Sequence, residues 1–226
     1  MESLIRDEGA LNIPVDTEHS ALRLSILGIF VLVLVVAFYI ANTLIVSAGF
    51  NIIAGIIAFA AAGLCARVAE SVLKKRWPSG RALVVDANGI RMVSKSQPQI
   101  TVNGSEPMSL LFWRFKIKRR TRVPKGWFVV ACAVEQNDDY LTVYTLASPE
   151  HADTLNKLVT FVTLLPEKDA KAAGKQDSLR AAGEQRRLRT AESHRWEHGA
   201  EMTFADFERF VTRITEQFAQ WMPLNR

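Results

Sequence analysis

From Leu24 to Ala66 the chain has no charged side chain, and the polar interruptions are Ser25, Asn42, Thr43, Ser47 and Asn51. A helix crossing the hydrocarbon core of a bilayer needs roughly 20 apolar residues at about 1.5 Å of rise each. The stretch therefore suits two spans. Their expected positions are Leu24–Val46 and Ile52–Leu73, joined by a turn at Ser47–Asn51 around Gly49. A helical hairpin buried in a soluble core would keep a polar face, and Ile29–Ile40 has none. A cleaved leader does not fit either, because an acidic segment precedes the apolar run and a second span follows it.

Positive charge orients such a hairpin. The turn between the spans carries no Lys or Arg, whereas Arg67, Lys74, Lys75, Arg76 and Arg81 follow the second span. That side is expected to be cytoplasmic, with the 1–21 segment returned to it by the hairpin, so both termini face the cytoplasm. Two cysteines, Cys65 and Cys132, are too few for a disulfide-built secreted scaffold or a four-cysteine zinc site. The second span carries Ala54, Ala58, Ala62 and Ala66 at i+4 spacing. Such a stripe lets another helix approach closely, whether the first span of the same chain or a second copy.

Charge is unevenly distributed. Residues 67–126 hold 14 basic and 3 acidic side chains, while the flanking regions are each net negative. After Trp77-Pro78-Ser79-Gly80 the apolar period changes to two, and strands are expected at Arg81–Val85 and Ile90–Ser94 around Asp86–Gly89. Residues 97–107 look loop-rich, with a short strand at most at Ile100–Val102. In Leu111–Arg120 the odd residues Leu111, Trp113, Phe115 and Ile117 alternate with Arg114, Lys116, Lys118 and Arg120. That pattern predicts one face in a core and one cationic row. A hairpin is expected over Trp127–Glu135 and Tyr140–Ala147. A helix over 149–165 follows, with Ser148 as N-cap, Pro149 in the first turn and Pro166 as its stop.

The expected fold class is α+β: a transmembrane hairpin over 22–76, then a small curved antiparallel sheet or split barrel over 81–165 plugged by its own helix. The two spans, the Leu83–Arg91 hairpin, the Trp113 strand, Val123-Pro124-Lys125-Gly126-Trp127 and the 149–165 helix together resemble bacterial membrane proteins that carry a pleckstrin-homology-like domain behind a transmembrane hairpin. The resemblance covers residues 22–165. It implies an inner-membrane, non-enzymatic lipid- or protein-binding module and supplies no catalytic residue.

Residues 166–202 read as a polar linker with a partial helix in its middle, because Leu179, Leu188 and Trp196 are the large apolar residues across 166–200. His194 and His198 do not make a metal site, since Glu197 is misplaced for a metalloprotease helix and Gly199 breaks the helix. The 203–222 segment is a strongly amphipathic helix with Phe204, Phe207, Val211, Ile214, Phe218 and Trp221 in one stripe. Its cover is the chain's own sheet, a partner protein or second copy, or the bilayer interface.

No phosphate-binding glycine loop, nucleophile elbow or metalloprotease helix is present, so neither an enzyme nor a cofactor or metal is expected. Three roles fit the row of Arg114, Lys116, Lys118 and Arg120, with Lys74, Lys75 and Arg76 beside the span. They are a solvated edge, contact with the anionic inner leaflet, and docking of an acidic protein partner, which includes a second copy. Nucleic acid is not expected for a membrane-tethered domain. The leading reading is a membrane-anchored binding or scaffold module. The alternative is an accessory subunit of a larger membrane complex that packs through the alanine stripe and the terminal helix.

Overall fold

The computed structural model describes residues 10–16, 20–45, 51–95, 97–119, 123–166 and 179–222. It divides into two units: a helical pair within Asp16–Ser79, and a β-rich unit made of the chain up to Val15 together with Gly80 onward.

In the helical unit, α1 spans Ser20–Ile45 and α2 spans Ile52–Arg76. Both are long and apolar enough to cross a membrane. Most of the expected turn, 47–50, lies outside the described residues. Asn51 caps α2 by accepting from the Ile53 N–H at 2.8 Å, and its own N–H donates to Asn42 Oδ1 at 3.1 Å. Ala54, Ala58 and Ala62 are fully buried in the packing of α2 on α1, whereas Ala66 is half-buried. Phe30 and Phe59 meet edge-on with centroids 5.5 Å apart. Leu24, Leu32 and Val35 of α1 and Ile52, Ile56 and Phe59 of α2 are more than half exposed.

The β-rich unit begins before the spans. Strand β1, Leu11–Pro14, pairs antiparallel with β2, Arg81–Asp86, in the register Leu11↔Val85, Ile13↔Leu83 and Pro14↔Ala82. The helical pair is thus an insertion between two neighbouring strands of one sheet. Residues 11–14, within the 1–21 segment expected to lie outside the domain, supply one of its strands. The short strand was missed because its partner lies some 70 positions away. Strand β3, Gly89–Ser94, and β4, Gln97–Asn103, complete a four-stranded meander. Residues 97–103 are a full strand rather than a loop. The proline and glutamines that disguised it sit at a sheet edge, beside a bulge at Met92/Val93. At the β2–β3 turn, Asp86 Oδ1 accepts from the N–H groups of Asn88 and Gly89 at 2.9 and 3.0 Å. A Cβ on Gly89 would lie 1.9 Å from the Val102 carbonyl oxygen, so no other residue fits there.

The second sheet is built on β5, Ser109–Lys116, β6, Phe128–Gln136, and β7, Asp139–Ala147. Asn137 and Asp138 turn β6 into β7 with φ of 50° and 67°, the paired left-handed geometry of a two-residue hairpin turn. Two short parallel strands, β8 (Val162–Thr163) on β5 and β9 (Ala200–Glu201) on β7, cap its edges. The first sheet has a proline on each edge strand, Pro14 on β1 and Pro98 on β4, and neither can donate to an incoming strand. Both sheets are therefore blunted against edge pairing.

Helix α3 is shorter than the 149–165 expected. It spans Pro149–Leu158 and ends where Val159 takes extended geometry (φ −151°, ψ 147°). The β-branched and aromatic run Val159–Thr163 leaves the helix so that Phe161 enters the core and Val162 pairs with β5. Leu158, its last helical residue, is exposed.

Helix α4, Leu179–His198, replaces most of the supposed linker, and residues 167–178 lie outside the described set. It lies across the outer face of β5–β6–β7 with Leu188 and Ala191 buried against Trp113, Ala131 and Ala133. Its few large apolar residues suffice because the sheet supplies the bulk of the interface: Trp113, Tyr140 and Tyr144 flank the small Ala131 and Ala133 beneath it.

Helix α5, Phe204–Gln217, starts at Thr203, whose hydroxyl accepts from the Asp206 N–H at 3.2 Å. Phe207, Phe210, Val211, Ile214 and Phe218 are buried in the main core with Leu83, Val85, Phe112, Val134 and Leu141, and Phe204 and Trp221 pack at its margin. The stripe of Phe204, Phe207, Val211, Ile214, Phe218 and Trp221 is thus covered by the chain's own sheets. Burying side chains of this class is worth roughly 1.5–3 kcal/mol each, and the sheets supply that burial within the chain.

Candidate docking surface

Strand β5 does not have one buried and one cationic face. Leu110 and Phe112 on its even side enter the main core, while Trp113 on its odd side lies fully buried under α4. Cationic character starts only at the strand's end. Arg114 is mostly withdrawn from solvent. It pairs with Asp153 of α3 at 3.8 Å, and its guanidinium sits 5.6 Å from the Phe128 ring centre. Arg114 therefore packs back toward Phe128 and α3 and is not part of a free cationic row.

Beyond Arg114 the two strands stay paired toward the hairpin end. The Ile117 N–H donates to the Trp127 carbonyl at 2.7 Å, and the Gly126 N–H donates to the Ile117 carbonyl at 3.0 Å. Gly126 takes φ +97°, which lets the returning strand bulge at a position where a side chain would be strained. Lys116, Lys118, Arg119 and Lys125 are exposed there, and no ion pair engages any of them among the described residues. Lys116, Ile117, Lys118, Lys125 and Gly126 line a shallow groove of 560 Å³. Arg120 lies outside the described residues. Arg119 and Lys125 were missed because strand alternation stops being informative at a turn, although the run from Arg114 to Lys125 holds seven basic residues and no acidic one.

The remaining basic candidates belong to the helical unit. Lys74 pairs with Glu70 at 2.7 Å, Arg76 is exposed at the end of α2, and the side chain of Lys75 lies outside the described set.

The face under α4 holds a polar cluster that ties the helix to the sheet. Glu192 accepts from the Trp113 indole N–H at 2.9 Å. It also takes two hydrogen bonds from Arg195, at 2.8 and 2.6 Å. The buried Arg195 guanidinium lies 4.7 Å from the Tyr144 ring centre. Nearby, Glu135 accepts from Arg187 at 2.8 Å and from the Tyr140 hydroxyl at 2.7 Å. Burial raises the Glu135 carboxyl, but the hydrogen bonds from Arg187 and Tyr140 outweigh it and hold the group below the usual carboxylate range. Its contribution to stability is present at neutral pH and fades as pH falls through that lowered value. The Tyr140 hydroxyl is pushed up to about 12, first by burial and then by Glu135. His194 stacks on Tyr140 with ring centres 4.4 Å apart, which makes the residue a packing partner in this cluster. Burial also pushes the Cys132 thiol up, so it packs as an unreactive side chain.

Comparison with known families, characterised proteins and solved structures returns no match. The geometry alone must carry the functional reading. A Glu192→Ala substitution should destabilise the β-unit by about 2–3 kcal/mol, because it strands a buried guanidinium and an indole N–H together. Thermal unfolding of the detergent-solubilised chain measures this, and an unchanged midpoint would show that the cluster does not hold α4 in place.

Proposed function

We propose that the chain is a non-enzymatic, membrane-anchored docking module: two spans hold a basic β-domain at the cytoplasmic face, where it engages an anionic ligand. The observation carrying this reading is that β1 and β2 pair on either side of the spans in sequence, so both ends of the hairpin return to one sheet.

The excess of Lys and Arg beyond α2, against none in the connecting turn, supports the cytoplasmic side. The pleckstrin-homology-like assignment is supported by the strand count, with a four-stranded meander, a three-stranded meander and a helix closing the core between them. An accessory subunit would pack through the terminal helix and the alanine stripe. The terminal helix is spent within the chain, and the alanine stripe from Ala54 to Ala62 is occupied by α1.

Topology labelling tests the proposal. A Lys125→Cys substitution in a Cys65→Ser background should react with a membrane-impermeant thiol reagent only after the cell membrane is opened. Labelling in intact cells, or release of the protein by alkaline carbonate, would refute it.

A further inference from the structure

We propose that α4 is a strap: it lifts from the second sheet as one unit, pivoting at Gly199, and so controls exposure of the aromatic face formed by Trp113, Tyr140 and Tyr144. That face does not include the basic residues at the end of the β5–β6 hairpin, so the strap stands whether or not that end docks a ligand.

The last two helices are held in different ways. Helix α5 places Phe207, Phe210, Val211, Ile214 and Phe218 in the main core. Helix α4 buries Leu188 and Ala191 against the sheet, and its remaining ties run through polar and charged groups. Apolar burial is lost in full when an element lifts, whereas a polar tie is exchanged for water at small net cost. Gln185 is such a tie. Its Oε1 accepts from the Leu165 N–H at 3.0 Å and its Nε2 donates to the Thr163 carbonyl at 3.1 Å, and water can take over both.

The charged groups divide along the boundary between helix and sheet. Glu192 and Arg195 bond to each other on α4, at 2.8 and 2.6 Å, so this largely buried pair leaves with the helix and neither charge is stranded. On the sheet, Glu135 keeps the Tyr140 hydroxyl at 2.7 Å. The ion pair that crosses the boundary joins Glu135 to Arg187, whose side chain is half exposed, so water and salt already compete for it. A buried pair split between two elements would resist parting far more strongly.

Closing the strap also carries a cost. Thr142 lies directly opposite Ala133 on the face beneath α4 and is 3% exposed, and its hydroxyl oxygen meets no hydrogen-bond partner among the described residues. Lifting α4 returns that hydroxyl to water. Beyond Gly199 the chain stays fixed, because Ala200 pairs with Val143 and the Met202 N–H donates to the Tyr144 carbonyl at 2.8 Å. A glycine between a moving and a fixed element supplies the backbone freedom that a pivot needs.

Native-state amide hydrogen exchange on the full chain in detergent micelles tests the strap. Amides of 187–197 should exchange at one shared rate, at least about a hundredfold faster than those of 130–134 in β6. The Trp113 indole N–H, which donates to Glu192, should exchange with the helix and not with the sheet. An Ile214→Val substitution in the main core should speed β6 about fivefold and leave α4 unchanged, since α4 opens without unfolding that core. Thr142→Val removes the stranded hydroxyl and should slow α4 severalfold. Exchange in α4 as slow as in β6, or an Ile214→Val change that speeds both alike, would show that the helix parts from the sheet only on global unfolding and overturns the proposal. Residue-by-residue fraying of α4 with the indole still protected overturns it as well, as does a Thr142→Val variant with unaltered α4 exchange.

Discussion

Replacing residues 16–80 by an Asn-Gly pair should convert this chain into a protein that dissolves without detergent and unfolds cooperatively. Val15 and Arg81 lie opposite each other at the end of the β1–β2 ladder, with the Val15 N–H donating to the Arg81 carbonyl at 3.1 Å. A two-residue turn with both central residues at positive φ closes such a pair without disturbing the register. The substitution removes the apolar stretch and leaves both sheets, α3, α4 and α5 unaltered. It also shortens the connection between β1 and β2, which lowers the entropy of closing that pair. The expected readouts are a monomer in aqueous buffer, strand content matching the intact β-unit and a single thermal transition. An aggregated or non-cooperative product would mean that the two strands do not form one sheet without the spans.

Truncation at the other end should do the opposite. Removing residues 203–226 deletes Phe207, Phe210, Val211, Ile214 and Phe218 from the main core together, and the β-unit should lose cooperative unfolding altogether. A single Phe207→Ala change already costs about 3–5 kcal/mol through lost burial and the cavity left behind. That is a large share of the roughly 5–15 kcal/mol that holds a domain folded. A fragment limited to residues 81–165 should fail for the same reason, since it lacks β1, α4 and α5. A sharp transition in either truncated protein would contradict the placement of the terminal helix.

The parts of the fold legible in the sequence were those fixed by local pattern. The spans follow from charge-free length, the β2–β3 hairpin from Asp86–Gly89, and the α5 stripe from apolar spacings of three and four. What escaped was set by distant partners. Strand β1 is four residues long and needs β2 across the whole hairpin to exist. Helix α4 looked like a linker because its docking uses Leu188 and Ala191 over a floor of Ala131 and Ala133, with polar ties from Glu192 and Arg195 in place of a broad apolar face. The docking surface was half legible. The basic run was visible, but alternation alone misassigned Arg114, whose pairing with Asp153 depends on where α3 lands.

The claim on which all of this turns is that the strand before the spans pairs with the strand after them. Asn12 and Val84 are directly opposed on the outer face of that ladder, at a spacing suited to a disulfide. In native membranes, an Asn12→Cys, Val84→Cys pair in a Cys65→Ser background should cross-link within one chain on mild oxidation. Pairs shifted by one residue, such as Asn12→Cys with Val85→Cys, should not. Absence of the intramolecular link, or equal cross-linking in the shifted register, would contradict the account.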